Sequence, residues 1–320
     1  MSGGRTVRFE AADDGFHFST MSDRWWETET CWFSFNKPER RLGGWLYVLA
    51  RPNIGTVAGG AWLWDDSASL PWEVLYSANY SALRLPKDQD LTDIRLPTGV
   101  SVKVTEPLHS YRIGYQDEDR LSVDLTFDAV MPPHALASTD SGFGHLSHFD
   151  QFGRVHGSVL LRGEKIAIDC LAMRDRSWGP RPETRPRESV YATGISSANN
   201  GFLALTNPAE GDRITHGFLL RDGSIADLKQ GQRVVERDPD TGLISSVRIQ
   251  GTDRSDRSFH AVGSPVSRIV INRHTFIDHN SLIEWKLDDG STAWGEDQDC
   301  CPVHRWAERR REARRGRRGA

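Results

Sequence analysis

The side chains best able to do chemistry are concentrated between His145 and Arg181, in the run HLSHFDQFGRVHGSVLLRGEKIAIDCLAMRDRSWGPR. The segment Arg174-Asp175-Arg176-Ser177-Trp178 sets a carboxylate between two guanidinium groups and next to an indole. Arginine does not release its proton near neutrality, and its fork of donors fits a carboxylate, a phosphate or a developing oxyanion. The face of a Trp ring attracts a cation. On a strand, alternation sends Asp175 and Ser177 to one side and Arg176 and Trp178 to the other. The same residues also describe a structural Arg–Asp–Trp cluster that pins a strand end. Upstream, His148 and Asp150 are candidates for general acid–base work. His145, His148, His156 and Asp150 are the nearest approach to a metal-ligand set. Their H-x2-H-x-D spacing lacks the sharpness of a zinc signature, and no metal is expected.

A second group lies near the start, in Trp25-Trp26-Glu27-Thr28-Glu29-Thr30. Burial among indoles raises a carboxyl pKa and makes a proton donor near neutrality. Glu27 is the candidate for that role, and Glu29 is expected on a solvated strand edge. The chain has 11 Trp, six of them (Trp25, Trp26, Trp32, Trp45, Trp62 and Trp64) within the first 64 residues. Such aromatics fill cores and also line pockets for apolar or cationic ligands. Trp25, Trp32 and Trp62, together with Arg181 and His216, are candidate substrate-binding residues. There is no G-x-G-x-x-G after a strand, no P-loop and no G-x-S-x-G elbow, so no nucleotide and no other cofactor is expected.

The elements that must position these groups read as strands. Arg120 to Val130 alternates, with Leu121, Val123, Leu125 and Phe127 facing one way. Strand patterns also cover Gly44 to Ala50, Gly55 to Trp64, Arg154 to Arg162, Lys165 to Met173, and seven further segments between Ser189 and Leu287. Gly59-Gly60 suggests a bulge. Turn signals recur at short intervals, at Arg221-Asp222-Gly223-Ser224, Asp238 to Gly242 and Asp288-Asp289-Gly290. Long helical periodicity is absent before Val303. The pattern predicts an all-β protein of barrels or sandwiches and excludes an α/β fold. The stretch Met131 to Gly144, rich in Pro, Gly and Ser, predicts a seam. The expected domains are residues 1–137 and 138–303, followed by an Arg-rich tail over 304–320.

The charge is divided just as unevenly. The net charge is −4, but Arg305 to Ala320 holds eight Arg and two Glu, which is +6 and leaves −10 for residues 1–304. An acidic body is not expected to bind nucleic acid. The tail is either a solvated terminus or a contact for nucleic acid or an anionic membrane. No apolar run is long enough to span a bilayer, so stable membrane insertion is not expected. The polar start MSGGRTVRFEAADDG lacks the h-region of a secretory signal. The four cysteines, Cys31, Cys170, Cys300 and Cys301, form no C-x-x-C pair and read as reduced thiols of a cytoplasmic protein.

Three blocks carry a family resemblance: Trp25 to Asn53, His148 to Arg181 with its D-x-x-W-G core, and, more weakly, Leu282 to Glu296. In these the chain resembles the AttH-like and hydroxyneurosporene synthase (carotenoid 1,2-hydratase, CrtC-like) superfamily. The resemblance implies two lipocalin-like (calycin-type) antiparallel β-barrel or sandwich domains and an apolar substrate in a pocket, with neither metal nor nucleotide. In the hydratases an acid protonates an alkene and a Trp faces the cation that develops. Their motif reads D-H-x-W-G, whereas here it reads Asp175-Arg176-Ser177-Trp178-Gly179. The hydratases also carry an acid on a following strand, and the corresponding region Gly201 to Asn207 holds none. The reading that follows is a cofactor-independent enzyme acting on an isoprenoid, steroid-like or polyketide-like molecule by hydration, dehydration, isomerisation or cyclisation. Arg176 would bind a substrate oxygen, Trp178 would stabilise positive charge, and Asp175 would orient Arg176 or act as the acid. His148, Asp150 and Glu27 are the second-choice proton carriers. The alternative is a non-catalytic carrier for a hydrophobic metabolite.

Overall fold

Leu121, Val123, Leu125 and Phe127 are at most 4 % exposed, while Ser122, Asp124 and Thr126 lie on the opposite, more accessible face. This alternation is the signature of a half-buried antiparallel strand, and it organises most of the chain. The computed structural model describes residues 8–136, 147–182, 188–273 and 276–318. It divides into two units. The first holds residues up to Lys37, Gly44–Leu63 and Tyr76–Pro182; the second holds Pro38–Gly43, Trp64–Leu75 and the chain from residue 183 onward.

The first unit is built on an 11-stranded sheet. Its strands are β1 (Glu27–Lys37), β2 (Leu42–Arg51), β3 (Thr56–Trp64), β4 (Tyr76–Arg84), β5 (Asp93–Arg95), β6 (Val100–Glu106), β7 (Ser110–Asp117), β8 (Leu121–Ala129), β9 (His134–Ala135), β10 (Ser147–Leu161) and β11 (Glu164–Pro180). The order is β4-β3-β2-β1-β11-β10-β8-β7-β6-β5, with β9 paired to β10. The bulge expected at the glycine pair is present: the register between β3 and β4 shifts between Val57 and Gly59, and both glycines have positive φ, 104° and 148°. A Cβ on Gly59 would stand 2.2 Å from the Tyr47 carbonyl oxygen, so only glycine permits this approach.

The second unit is a closed antiparallel barrel. It comprises β12 (Ser189–Ser197), β13 (Asn200–Asn207), β14 (Arg213–Arg221), β15 (Ser224–Arg237), β16 (Ile244–Asp253), β17 (Ser258–Arg273), β18 (Phe276–Leu287) and β19 (Thr292–Pro302). The two-residue loop Asp222-Gly223, with φ of 51° and 73°, joins β14 to β15 as its sequence requires. Helix α1 (Val303–Arg318) follows β19, and its Trp306 ring lies 4.0 Å from the His279 ring of β18. The basic tail is thus a helix docked on the barrel.

Two expectations require correction. The seam placed over residues 131–144 falls partly on residues 137–146, which lie outside the described residues. The strands on either side of it, β8 and β10, pair from Gly153↔Ala129 to Leu161↔Leu121, and β11 pairs with β1. Residues 147–182 therefore belong to the first unit, and the division falls after Pro182. Glu29 is not on a solvated edge. Its strand runs between β2 and β11, and its side chain is buried. The barrel interior is of mixed character. Phe202, Leu219, Phe259, Ile283 and Trp285 occupy one part of it. Elsewhere Arg233 donates to Asp297 through Nε and Nη2, both at 2.8 Å, and to Asp212 at 3.0 Å, while Arg237 pairs with Asp299.

Candidate functional site

Strand β11 divides the predicted chemistry between its two faces. Across β1 and β10, Arg176 is level with Cys31 and Phe149, and Asp175 with Trp32 and Asp150. One face thus carries Glu27, Glu29, Phe149, Arg174, Arg176 and Trp178. The other carries Thr30, Trp32, His148, Asp150, Asp175 and Ser177.

The first face is a packed core with an ionic interior. Arg174 donates to Asp14 (3.1 Å), to the Tyr111 hydroxyl (2.7 Å) and, through Nε, to Gln151 (2.9 Å). Arg176 is fully buried and pairs with Glu29; its Nη2 also donates to the Gly15 carbonyl at 2.6 Å, and its Nη1 to the carbonyls of Thr30 and Ser177, each at 3.1 Å. The His17 backbone N–H donates to Glu29 at 2.6 Å. The Trp178 ring stacks on the His17 ring at 4.0 Å and 3°, with the Arg176 guanidinium carbon 5.4 Å from its centroid. The cation beside this indole is therefore supplied by the protein itself. Glu27 is buried here and accepts from the Ser22 hydroxyl.

The second face is where the proton-carrying groups converge. His148 Nε2 is 3.1 Å from Asp150 Oδ2, and Asp150 stands opposite Asp175 in the β10–β11 register. One ligand-capable atom from each of His148, Asp150 and Asp175 lies within 4.8 Å of the other two. One imidazole and two carboxylates could hold a borderline divalent ion, and they could equally pass a proton. Burial works against a charged His148, but the Asp150 and Asp175 carboxylates outweigh it and hold the imidazole pKa above its ordinary 6.5. Asp150 Oδ1 has no hydrogen-bond partner among the described residues.

Aromatic surface adjoins this cluster. Trp32, level with Asp175, meets Trp45 edge-on at 5.3 Å, and Trp45 meets Trp62 at 6.3 Å. All three are buried, and Trp32 Nε1 has no partner among the described residues. Ser177 Oγ lies 2.7 Å from Thr30 Oγ1 and accepts from Arg181 Nη2 at 2.8 Å. An acid cluster flanked by indole faces can deliver a proton and stabilise the cation that results.

The remaining candidates lie apart from this cluster. Trp25 is 45 % exposed, with the Arg51 guanidinium 5.6 Å from its ring. His216 is half-buried on β14, and burial lowers its pKa against the opposing field of Asp227. His156 pairs with Asp128 at 2.9 Å, and His145 lies outside the described residues. A surface concavity of about 520 Å³, lined by residues 84–88 and 95–97, shares none of these side chains.

A family model described as a domain of unknown function (DUF7064) matches residues 10–297. The chain belongs to the DUF7064 family. Three solved structures share the fold of this DUF7064 protein at 10–12 % identity. A candidate AttH from Nitrosomonas europaea aligns with a TM-score of 0.58 at 12 % identity, over 93 % of this chain and 97 % of that one. Kievitone hydratase from Nectria haematococca aligns at 0.54 and 12 %, over 86 % and 89 %. CghA aligns at 0.56 and 10 %, over 87 % and 88 %. Comparison with curated protein sequences finds no match. The DUF7064 chain thus shares the nearly all-β fold of these three structures.

Sequence reasoning did not find that Asp150 and Asp175 would meet. They are 25 residues apart in sequence, and only the hairpin register of β10 and β11 puts them level. It also missed Asp278 and Asn280, two fully buried polar residues of β18. Their one signal was polar residues inside an otherwise strand-like run.

Proposed function

We propose that this DUF7064 protein is an enzyme that moves a proton onto or off an apolar small molecule, with His148, Asp150 and Asp175 as the acid–base apparatus and Trp32 beside the reacting carbon. The class of reaction is hydration, dehydration, isomerisation or cyclisation. The observation that carries this reading is the convergence of the three groups within 4.8 Å next to a run of buried indoles. The Asp150 and Asp175 carboxylates favour the protonated imidazole of His148 against burial, so the three groups can hand a proton from one to another. That two proteins of the same fold are a hydratase by name and CghA, one structure of which holds Sch210972, supports a small-molecule substrate.

In this reading Arg176 is a positioning residue. Its Nη donors are engaged by Glu29 and three carbonyls, so it fixes β1 against β11 and thereby sets Trp32 level with Asp175.

The test is incubation in D2O with terpenoid, prenylated-phenol and polyketide alkenes, followed by mass spectrometry. Deuterium on carbon, lost in Asp150→Asn and retained after chelation of metals, is the expected result. A chelator-sensitive reaction, or label transfer that survives both Asp150→Asn and Asp175→Asn, would overturn the assignment.

A further inference from the structure

The tripeptide Arg-Leu-Pro occurs twice in the first unit, at residues 84–86 and 95–97. Arg84 is the last residue of β4 and Arg95 the last of β5, the two ends of the sheet order. Leu85 and Leu96 are buried, so each tripeptide is anchored in the core while the arginine before it stands in solvent. Main-chain bonds hold both anchors: the Leu85 N–H donates to the Gly55 carbonyl at 2.9 Å, and the Leu96 N–H to the Val100 carbonyl at 2.8 Å. The Arg95 N–H donates to Gln89 Oε1 at 2.8 Å, which ties β5 to the chain that leaves β4. Proline fixes φ at Pro86 and Pro97. Together with Lys87 and Asp88, the two tripeptides form the walls of the surface concavity of about 520 Å³. That volume lies within the roughly 300–1,000 Å³ of ordinary small-molecule pockets.

The charge of this concavity differs from that of its surroundings. Elsewhere in the first unit exposed cations are neutralised where they stand: Lys103 by Asp93 at 2.7 Å, Arg112 by Asp124 at 3.3 Å, Arg120 by Asp117 at 2.8 Å and Arg154 by Asp169 at 2.7 Å. The concavity instead sets Arg84, Lys87 and Arg95 against the single acid Asp88, which leaves its lining at +2. None of these four side chains forms an ion pair among the described residues. Asp93, two residues before Arg95 on β5, is engaged by Lys103 from β6. Like charges held around one concavity repel, and an anion that bridges them relieves the repulsion. Guanidinium forks match phosphate oxygens in pairs. A phosphate monoester carries about −1.5 to −2 near neutrality, which matches the excess.

We propose that this concavity binds the phosphate of a small organic phosphate monoester, with Arg84 and Arg95 as the paired donors and Lys87 as the third cation. Pro86 and Pro97 offer apolar surface to the organic part. A carboxylate or a sulfate monoester brings one charge and leaves part of the excess unmatched. The site shares no side chain with the acid cluster on β10 and β11, and the inference is independent of the chemistry proposed there.

The full-length protein is titrated with phenyl phosphate and with phenyl sulfate at one ionic strength, followed by ligand-observed NMR. The phosphate is expected to bind about tenfold more tightly. Arg84→Gln and Arg95→Gln should each weaken it about three- to fivefold, with the Tm unchanged because both side chains are exposed. Arg154→Gln removes an exposed cation outside the concavity and should leave binding as it is. Sedimentation with phosphatidylcholine vesicles containing phosphatidic acid separates two sources of the same group. A lipid headgroup carries the wild type, but not Arg84→Gln, into the pellet, whereas a soluble ester leaves both in the supernatant. Absence of binding in both arms, equal affinity for phosphate and sulfate, or a loss shared equally by Arg154→Gln overturns the proposal.

Discussion

Asp150 and Asp175 stand level on adjacent strands, with His148 Nε2 3.1 Å from Asp150, on the sheet face that also carries Trp32, whose ring meets Trp45. Two carboxylates this close share the field of one imidazole, and a single isosteric change should break the relay. Asp150→Asn and Asp175→Asn are each expected to lower turnover of an identified substrate by about 100-fold or more. Circular dichroism should be unchanged. Full activity in both variants would show that the cluster does no chemistry.

The raised His148 pKa predicts a pH signature. A histidine that titrates higher folded than unfolded stabilises the fold fully below its unfolded value, here 6.5, and that contribution fades as pH rises through the folded pKa. Urea titrations of wild type and His148→Gln from pH 5 to pH 9 should show their largest gap at the acid end. A gap that widens with pH contradicts the sign.

His279 has the opposite sign. Burial lowers its pKa to about 4 against the favourable field of Asp299, and Trp306 packs against its ring. Between about 4 and 6.5 the unfolded chain binds the proton better, so the wild type loses stability as pH falls through that window. His279→Phe keeps a ring against Trp306 and should flatten this acid slope. An unchanged slope would assign the acid loss to the carboxylates of the barrel.

Arg176 is expected to matter for folding before chemistry. Removing it leaves Glu29 buried without its guanidinium, and Arg176→Ala should cost about 3–5 kcal/mol in urea denaturation. The double variant Arg176→Met, Glu29→Leu removes both charges and should recover much of that loss. If Arg176→Ala keeps full stability and loses only turnover, the arginine acts on substrate directly.

How much of this was legible in the sequence differs from element to element. The strands β2, β3 and β8 were evident because their apolar residues alternate or run together. β19 was not: Glu296, Asp297 and Asp299 make it read as a polar segment, and it is a barrel strand only because Arg233 and Arg237 neutralise Asp297 and Asp299 from β15. β1 was obscured in the same way by Glu27 and Glu29. Of the set considered around His145, His148, His156 and Asp150, His145 lies outside the described residues, and His156 shares a face of β10 with His148 but stands eight residues along the strand, where it pairs with Asp128 on β8.

The amino-acid sequence by itself determined the all-β class, the D-x-x-W-G block, the glycine bulge on β3 and the split of Asp175 from Arg176, because these follow from local alternation and backbone geometry. The tertiary structure alone decided which face of β11 became an ionic core and which gathered the acid cluster. Alternation assigns side chains to two faces but leaves the faces equivalent. What distinguishes them is the pairing of β11 with β1, which brings Glu29 to Arg176 across 147 residues of chain. A buried charge is stable only where a distant strand supplies its partner, and that register is a property of the folded sheet.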